Sequence, residues 1–320
     1  MDDFESTSLL KGQKVNFEQV LNPFKLLVKG DYLIVSNKGG ERLIHIFDKS
    51  KLTYVASKGK SGPAPDEIEN VWELDRGLNP STFWGYSNLT KKFKEYSLID
   101  SMPAAIEEVS QSGDWIQGMS VHWISPNKLI SYMNYDEGKF AVFSTEGDRL
   151  ESLSLWDKDK KVVADQVYML SDLNQGPKAI SPDRSFYVLG KLKFSQFEIL
   201  NLKNNTSLVV DGPILKEGGY KIYADPNGPL KIQEENPVYG YGDVYVTDQH
   251  IFLLLIGKTL QEYKETGEMS RSILMFDFEG NPISHFQLDY PISALAVDEK
   301  SKKIFGVSDD QDPGIVVFDY

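Results

Sequence analysis

Residues 32–48 read YLIVSNKGGERLIHIFD, an apolar run, a short turn and a second apolar run that ends in an aromatic residue and an aspartate. The same order of strand, turn and strand recurs five more times, at a period of roughly 50 residues that is typical of β-propellers. The repeat therefore predicts an all-β fold built from six similar sheets. The further copies occupy residues 82–96, 129–143, 186–200, 251–277 and 304–319.

Each copy is flanked by further apolar segments, so each unit predicts four antiparallel strands. In the second unit, for example, residues 68–74 predict the first strand. Several of these segments alternate apolar and polar residues, as strands with one wetter face do. Turn sequences such as Ser125-Pro126-Asn127 and Ser181-Pro182-Asp183 separate the strands. Six such units predict a single domain, a six-bladed β-propeller. Its blades occupy approximately residues 20–60, 66–106, 115–155, 176–212, 242–288 and 291–320.

The sixth unit contains only three strands, because it reaches Tyr320 on its third. An unpaired outer strand would be a template for aggregation. Residues 7–17 precede the first full unit and contain Leu9, Leu10 and Val15. We infer that this N-terminal strand supplies the missing fourth strand and closes the ring.

The amino-acid composition of the chain excludes several classes of binding partner. The chain has 320 residues, no cysteine and a formal net charge of −13 at pH 7. The acidic balance argues against nucleic acid and anionic membrane surfaces, which bind basic faces. No apolar run reaches the roughly 18 residues of a membrane helix, so we predict no transmembrane segment. Without cysteine, disulfides and cysteine-bound zinc are excluded.

A short motif carries a family resemblance. Residues 62–68, GPAPDEI, follow the fourth strand of the first unit and match the pattern Gly-x-x-Pro-x-Glu-apolar. Together with Phe47-Asp48-Lys49 and residues 55–59, the motif resembles the TolB-like six-bladed propellers common among Bacteroidetes. The family pattern usually has glycine where this chain has Ala64. The resemblance covers about residues 20–320 and implies the six-bladed fold, but no established activity.

The resemblance also implies an extracytoplasmic location, either in the periplasm or as an outer-membrane lipoprotein with a lipid anchor upstream of the region shown. Residues 1–6 have neither the basic nor the apolar region of a signal peptide. A cytoplasmic protein therefore stays the alternative to an exported protein that lacks its signal.

Catalytic motifs are missing from the sequence. It contains neither a Gly-x-Ser-x-Gly nucleophile elbow nor a His-Glu-x-x-His zinc motif. The four histidines are scattered along the sequence, and we interpret them as structural. We therefore predict no catalytic residue, no bound metal and no cofactor. These histidines are His45, His122, His250 and His285.

Four units carry an amide or carboxylate at the end of the second strand, at Asn37, Asn88, Asn134 and Asp309. In a propeller these strand ends converge on one face around the axis, so we expect a ligand-binding set there. Metal-dependent lactonases with six blades hold a divalent ion with a similar axial set. Asn and Asp are also favoured wherever a strand turns, so a purely structural role stays open.

Two segments exceed what the ring requires, and long loops often bind ligands. Residues 257–270 are charged, with a short helix predicted over 260–266, and residues 211–242 are rich in glycine, proline and tyrosine. Tyrosine offers a large amphipathic contact surface, so Tyr239 and Tyr241 are candidate ligand-binding residues. We expect the loop 211–242 to share a face with the second-strand ends.

Three interpretations follow. The leading one is a non-enzymatic binding propeller of the bacterial cell envelope, whose partner is an unknown protein or glycan. The alternative is a metal-dependent hydrolase or lactonase acting at the propeller axis. The third is a structural module of an envelope assembly. Carboxylates at the inner strand ends would favour the hydrolase, and an exposed aromatic patch would favour the binding protein.

Overall fold

The computed structural model describes residues 4–134, 136–156, 164–214, 220–224, 230–268, 270–308, 310 and 312–320. Six sheets form a ring, and the predicted six-bladed β-propeller is confirmed. Two short strands begin the chain, β1 (Ser6–Leu10) and β2 (Gly12–Val15). Among the described residues, no helix combines the length and apolar character that crossing a membrane requires.

The first three blades are four-stranded antiparallel sheets whose strands follow one another in chain order. A 3-10 helix, Gly113–Gln117, precedes the third blade. The strands are β3 (Pro23–Lys29), β4 (Tyr32–Asn37), β5 (Arg42–Asp48) and β6 (Thr53–Lys60) in blade one, β7 (Glu73–Asp75), β8 (Thr82–Ser87), β9 (Lys92–Ser97) and β10 (Glu107–Ser110) in blade two, and β11 (Gly118–Ser125), β12 (Lys128–Met133), β13 (Gly138–Ser144) and β14 (Arg149–Leu155) in blade three.

The last three blades follow the same plan, with a separate hairpin between blades four and five. Their strands are β15 (Lys178–Ile180), β16 (Phe186–Gly190), β17 (Gln196–Asn201) and β18 (Thr206–Asp211) in blade four, β19 (Tyr220–Ala224) and β20 (Leu230–Glu234) in the hairpin, β21 (Tyr241–Val246), β22 (Ile251–Leu255), β23 (Ser270–Phe276) and β24 (Pro282–Ile292) in blade five, and β25 (Ala294–Asp298), β26 (Lys303–Ser308) and β27 (Gly314–Asp319) in blade six.

The part of the chain that the structure describes contains two α-helices outside the sheets, α1 (Ala164–Asn174) before blade four and α2 (Leu260–Thr266) within blade five. The predicted helix over 260–266 is confirmed. Thr259 and Glu262 form a capping box at its start, and Gly267 ends it in the left-handed conformation, with φ of 69°.

The N-terminal strands close the ring, as predicted. Strand β2 pairs antiparallel with β27, so that Gly12 lies opposite Phe318 and Val15 opposite Ile315. A Cβ atom at position 12 would lie 2.4 Å from Val316 Cγ1, which explains the glycine there. The sequence did not predict that β1 also pairs, in parallel, with the outer strand β24 of blade five. The N-terminus therefore covers two sheet edges.

The middle strands of the blades are buried on both faces because each blade packs against its neighbours. All five residues of β22 are buried. Aromatic pairs fill the gaps between blades: the rings of Trp84 and Trp123 lie 4.8 Å apart, and those of Phe186 and Phe278 lie 4.1 Å apart. The hydrophobic stabilisation of the ring thus resides between blades.

One inner strand is shorter than the sequence predicts. The apolar segment 68–74 was expected as the first strand of blade two, but β7 begins only at Glu73. Ile68 instead bridges in parallel to Ser61 and is only 2% exposed. The segment is apolar because it fills the space between blades one and two, which its periodicity alone does not distinguish from a strand.

Candidate functional site

The first strand of each blade lines the axis, and no strand of the described residues pairs with its inner edge. Its backbone groups therefore need other partners. The N–H of Leu295 in blade six donates to Asp243 Oδ2 of blade five at 3.0 Å. The N–H of Trp123 in blade three donates to Asp75 Oδ2 of blade two at 3.2 Å. Carboxylates of one inner strand thus bind the free edge of the next.

Near the C-terminal ends of the inner strands, an ion pair spans the axis. The guanidinium of Arg184, in the turn after β15, lies 2.9 and 3.3 Å from the two carboxylate oxygens of Asp75. Burial alone would raise the pKa of Asp75, but the facing guanidinium of Arg184, together with His122 and the N–H of Gly77, holds that pKa below its ordinary value. The guanidinium of Arg76 covers the ring of Tyr245 at 4.7 Å. We call Asp75, Arg76, Arg184 and Tyr245 the C-terminal layer.

Near the N-terminal ends of the inner strands, four blades contribute one charged side chain each. We call Lys25, Glu73, Lys178 and Asp243 the N-terminal layer. Lys25 and Asp243 form an ion pair at 2.7 Å. Glu73 and Lys178 interact electrostatically, but within the described part of the chain they form no ion pair with each other. Burial raises the pKa of Glu73 and lowers the pKa of Lys178 to about 8.

A cavity of about 50 Å³ is lined by both layers and by His122 of β11. Two buried nitrogens of its lining residues, His122 Nδ1 and Arg184 Nε, have no hydrogen-bond partner among the described residues. Burial lowers the pKa of His122 to about 4, so its imidazole is neutral at pH 7. Buried polar atoms are normally satisfied by protein or solvent. The cavity is therefore suited to water or a small polar molecule.

Beside the cavity, blades one and two form a groove of about 300 Å³. Phe24 and Trp72 lie next in sequence to the N-terminal layer residues Lys25 and Glu73. Their rings lie 5.4 Å apart, and Trp72 is 43% exposed. The ammonium of Lys38 lies 4.3 Å from the centre of the Phe24 ring. The groove thus presents an aromatic surface formed by Phe24 and the exposed Trp72, and the ammonium of Lys38 lies over the Phe24 ring.

The wall of the groove is polar. Asn37 accepts from the N–H of Asn22 at 2.6 Å and donates to the carbonyl of Gly39 at 2.8 Å. Asn70 donates to Asn88 Oδ1 at 2.7 Å, so Asn88 helps to fix the orientation of the Asn70 side chain. Each amide has hydrogen-bonding capacity left beyond these contacts. Of the predicted site residues, Asn37 therefore lines this groove, whereas Asn88 is connected to it only through Asn70.

The other second-strand residues lie elsewhere. Asn134 Nδ2 lies 2.6 Å from Met119 Sδ, and Asn134 Oδ1 accepts from Ser171 Oγ of α1 at 3.1 Å. Asp309 lies outside the described residues. The cavity at the axis is lined by first-strand residues, not by the three described asparagines. Each of these amides makes hydrogen bonds within the local fold, and a ligand-binding role for them stays a prediction.

The two candidate tyrosines differ in exposure. Tyr241 is 0% exposed and packs between blades four and five, so it belongs to the hydrophobic core and presents no surface to a ligand. This corrects the expectation drawn from its place in a glycine-rich loop. Tyr239 is half-buried, and its hydroxyl donates to Glu234 Oε2 at 3.3 Å. A binding role for Tyr239 stays a prediction.

The segment 211–242 contains the hairpin β19–β20, which contacts α1. Lys193, in the turn after the second strand of blade four, pairs with Asp172 of α1 at 2.7 Å and with Glu234 of β20 at 3.4 Å. The neighbouring Ser171 contacts Asn134. The hairpin therefore lies on the same face as these second-strand ends.

The hydrolase interpretation requires carboxylates that can share a metal. At the axis the acids face basic groups instead, since Asp75 binds Arg184 and Asp243 binds Lys25. Across the described ranges, no group of three His, Asp or Glu side chains is placed to hold one ion. The axial donor set thus does not favour a catalytic metal.

Sequence reasoning missed the charged axis. Lys25 and Lys178 are each the single charge of a short apolar segment, at residues 24–28 and 177–180. A lone charge in a buried strand is costly unless it has a partner. That anomaly was the available signal, but only the ring brings the four residues together.

The chain was compared with known proteins. A family model described as TolB-like 6-blade propeller-like matches residues 3–300. A putative exported protein from Bacteroides fragilis has a similar structure, with a TM-score of 0.56 and 10% identity over 97% of this chain and 94% of that chain. The β-propeller domain of Cps50 (Swd1) from Myceliophteria thermophila gives a TM-score of 0.52 and 9% identity over 97% and 99%. Both likenesses concern the fold alone. No curated protein sequence matches.

Proposed function

The chain belongs to the TolB-like 6-blade propeller-like family, and on that premise we propose that it is a non-enzymatic binding propeller of the bacterial cell envelope that holds a glycan. The observation that carries the proposal is the groove between blades one and two. It combines the exposed ring of Trp72 with the polar side chains of Asn37, Asn70 and Glu69.

The chemistry of the groove suits a sugar. A pyranose ring presents an apolar C–H face, which packs against an aromatic ring, and an edge of hydroxyls, which bind amides and carboxylates. Trp72 and Phe24 supply the aromatic surface, while Asn37 and Asn70 supply amide groups beside it. A groove of about 300 Å³ is at the lower end of the sizes found for small-ligand sites.

The proposal of an envelope location draws on the family and on the exported protein from Bacteroides fragilis, whose fold is similar. Fractionation of cells that carry the native gene tests it. Recovery of the protein in the periplasm or the outer membrane is expected, and recovery only in the cytoplasm would contradict the location without touching the groove.

The groove is tested by substitution of Trp72. A glycan array on the purified full chain identifies a binding glycan, and calorimetry then compares the variants. Trp72→Ala removes the aromatic platform, and we expect at least about a tenfold loss of affinity, equivalent to about 1.4 kcal/mol. Tyr54→Ala is the matched control, because Tyr54 is 45% exposed on the outer strand of blade one.

Two results would contradict the glycan proposal. One is an array without any glycan bound above background. The other is a bound glycan whose affinity is the same for Trp72→Ala and the wild type, which would place binding elsewhere on the ring.

A further inference from the structure

The N-terminal layer contains two opposite charges that lack partners suited to them. The carboxylate of Glu73 forms no hydrogen bond or ion pair with any described residue, although it feels Lys25 and Lys178 electrostatically. The ammonium of Lys178 donates to the carbonyl of Gly176 at 2.7 Å and lies 4.4 Å from the centre of the Tyr132 ring. An ammonium has three donors, so two remain for other groups.

Lys25 and Asp243, the other two residues of the N-terminal layer, do form an ion pair. Lys25 and Asp243 are 2.7 Å apart, and Asp243 also accepts from the N–H of Leu295. Lys178 is only 7% exposed and Glu73 is half-buried, so bulk water screens them little. An unpaired charge in such a place is costly. The changed pKa values of Glu73 and Lys178, both shifted by burial toward the neutral form, agree with missing partners.

The axial cavity, which Glu73 and Lys178 both line, is small but can hold a small molecule. The cavity of about 50 Å³ has room for about four water-sized groups. It is bounded toward the other end of the axis by the C-terminal layer, where Arg184 and Asp75 pair with each other. An occupant must therefore be a compact polar molecule of a few heavy atoms.

We propose that the axial cavity binds a small zwitterion of the α-amino acid class, with its carboxylate at the ammonium of Lys178 and its ammonium at the carboxylate of Glu73. A molecule with both charges would form an ion pair with Glu73 and another with Lys178, and it would leave the net charge of the layer unchanged. A simple carboxylate would leave Glu73 unpaired beside a second anion, and a simple amine would leave Lys178 unpaired. Glycine and alanine, with five and six heavy atoms, are the smallest members of this class. This site is separate from the glycan groove, and either proposal stands without the other.

Calorimetric titration of the full chain at pH 7 tests the site with four probes: glycine, alanine, acetate and methylammonium. We expect glycine or alanine to bind, and we expect neither single-charge probe to reach the same affinity within about tenfold. Lys178→Met and Glu73→Gln should each weaken amino acid binding by at least about tenfold. Lys203→Met is the matched control, because the side chain of Lys203 is 73% exposed on blade four, and it should bind like the wild type.

Circular dichroism reports whether each variant is folded. If Lys178→Met does not fold, Glu73→Gln still tests the site, because it preserves the shape of a half-buried side chain. The proposal is overturned if neither amino acid binds, if acetate binds as tightly as glycine, or if the folded Glu73→Gln variant binds glycine with wild-type affinity.

Discussion

At the axis, the carboxylate of Asp75 accepts hydrogen bonds from the guanidinium of Arg184 and from the N–H groups of Gly77 and Trp123. Asp75 is 4% exposed and Arg184 is 8% exposed, so the pair is almost completely removed from water. Buried ion pairs of this kind add little over an apolar pair, but removal of one partner leaves an uncompensated charge. The pair joins blade two to blade four across the axis.

Arg184→Met should therefore destabilise the protein by about 3–5 kcal/mol, measured by chemical denaturation at pH 7. The folded pKa of Asp75 is lowered, so its stabilising effect is present above its ordinary value of 3.8 and is lost as the pH falls below it. The difference between wild type and variant should accordingly shrink in acid. Lys203→Met is the control for loss of a basic side chain from blade four. A destabilisation equal to that of the control, or independent of pH, would refute this account.

At the scale of elements, the N-terminal strands cover the outer edges of two blades. Strand β2 pairs with β27, and β1 pairs with β24. Leu10 is 6% exposed, and the ring of Phe17 stacks on Phe47 with centroids 4.0 Å apart. The two strands thus contribute apolar contacts as well as hydrogen bonds, and they protect edges on which other chains could pair.

Deletion of residues 1–17 should lower the melting temperature by about 5 to 10 °C or cause aggregation, because several apolar side chains and two sheet edges become exposed. Scanning calorimetry and light scattering measure the two effects. Deletion of residues 1–3 alone keeps β1, β2 and Phe4, whose ring contacts Phe276, and is the matched control. If the longer deletion is as stable and soluble as the control, closure by the N-terminus is not required for stability.

At the scale of the whole molecule, the ring brings groups from all its blades to the axis, where the described residues that line the cavity include no serine or threonine beside His122. We expect no hydrolysis of esters, lactones or phosphodiesters above background when Ca²⁺, Mg²⁺, Mn²⁺ or Zn²⁺ is supplied to the purified protein. A spectrophotometric assay of each substrate class measures this. Metal-dependent turnover that is lost in Asn134→Ala or Asp309→Ala would instead support the hydrolase interpretation.

The sequence by itself determined the repeat and the closure. Strand pairs such as residues 32–48 are predicted from local periodicity, and the recurrence of the same pattern in six units supports the prediction for each of them. The helix over 260–266 was predictable for the same reason, since Thr259, Glu262 and Gly267 act within a few residues of one another. The apolar segment 68–74 was misread because burial between blades and burial within a sheet leave the same pattern.

Only the tertiary structure decided where the charges and aromatic rings meet. Lys25 and Asp243 are 218 residues apart in sequence, yet they pair because the first strand of every blade faces one axis. Tyr241 belongs to the core although its neighbours read as a loop, because the next blade packs over it. Local patterns record which residues form a strand. The directions that strands face after the ring closes depend on every blade at once, and for that reason the axial site and the groove were not visible in the sequence.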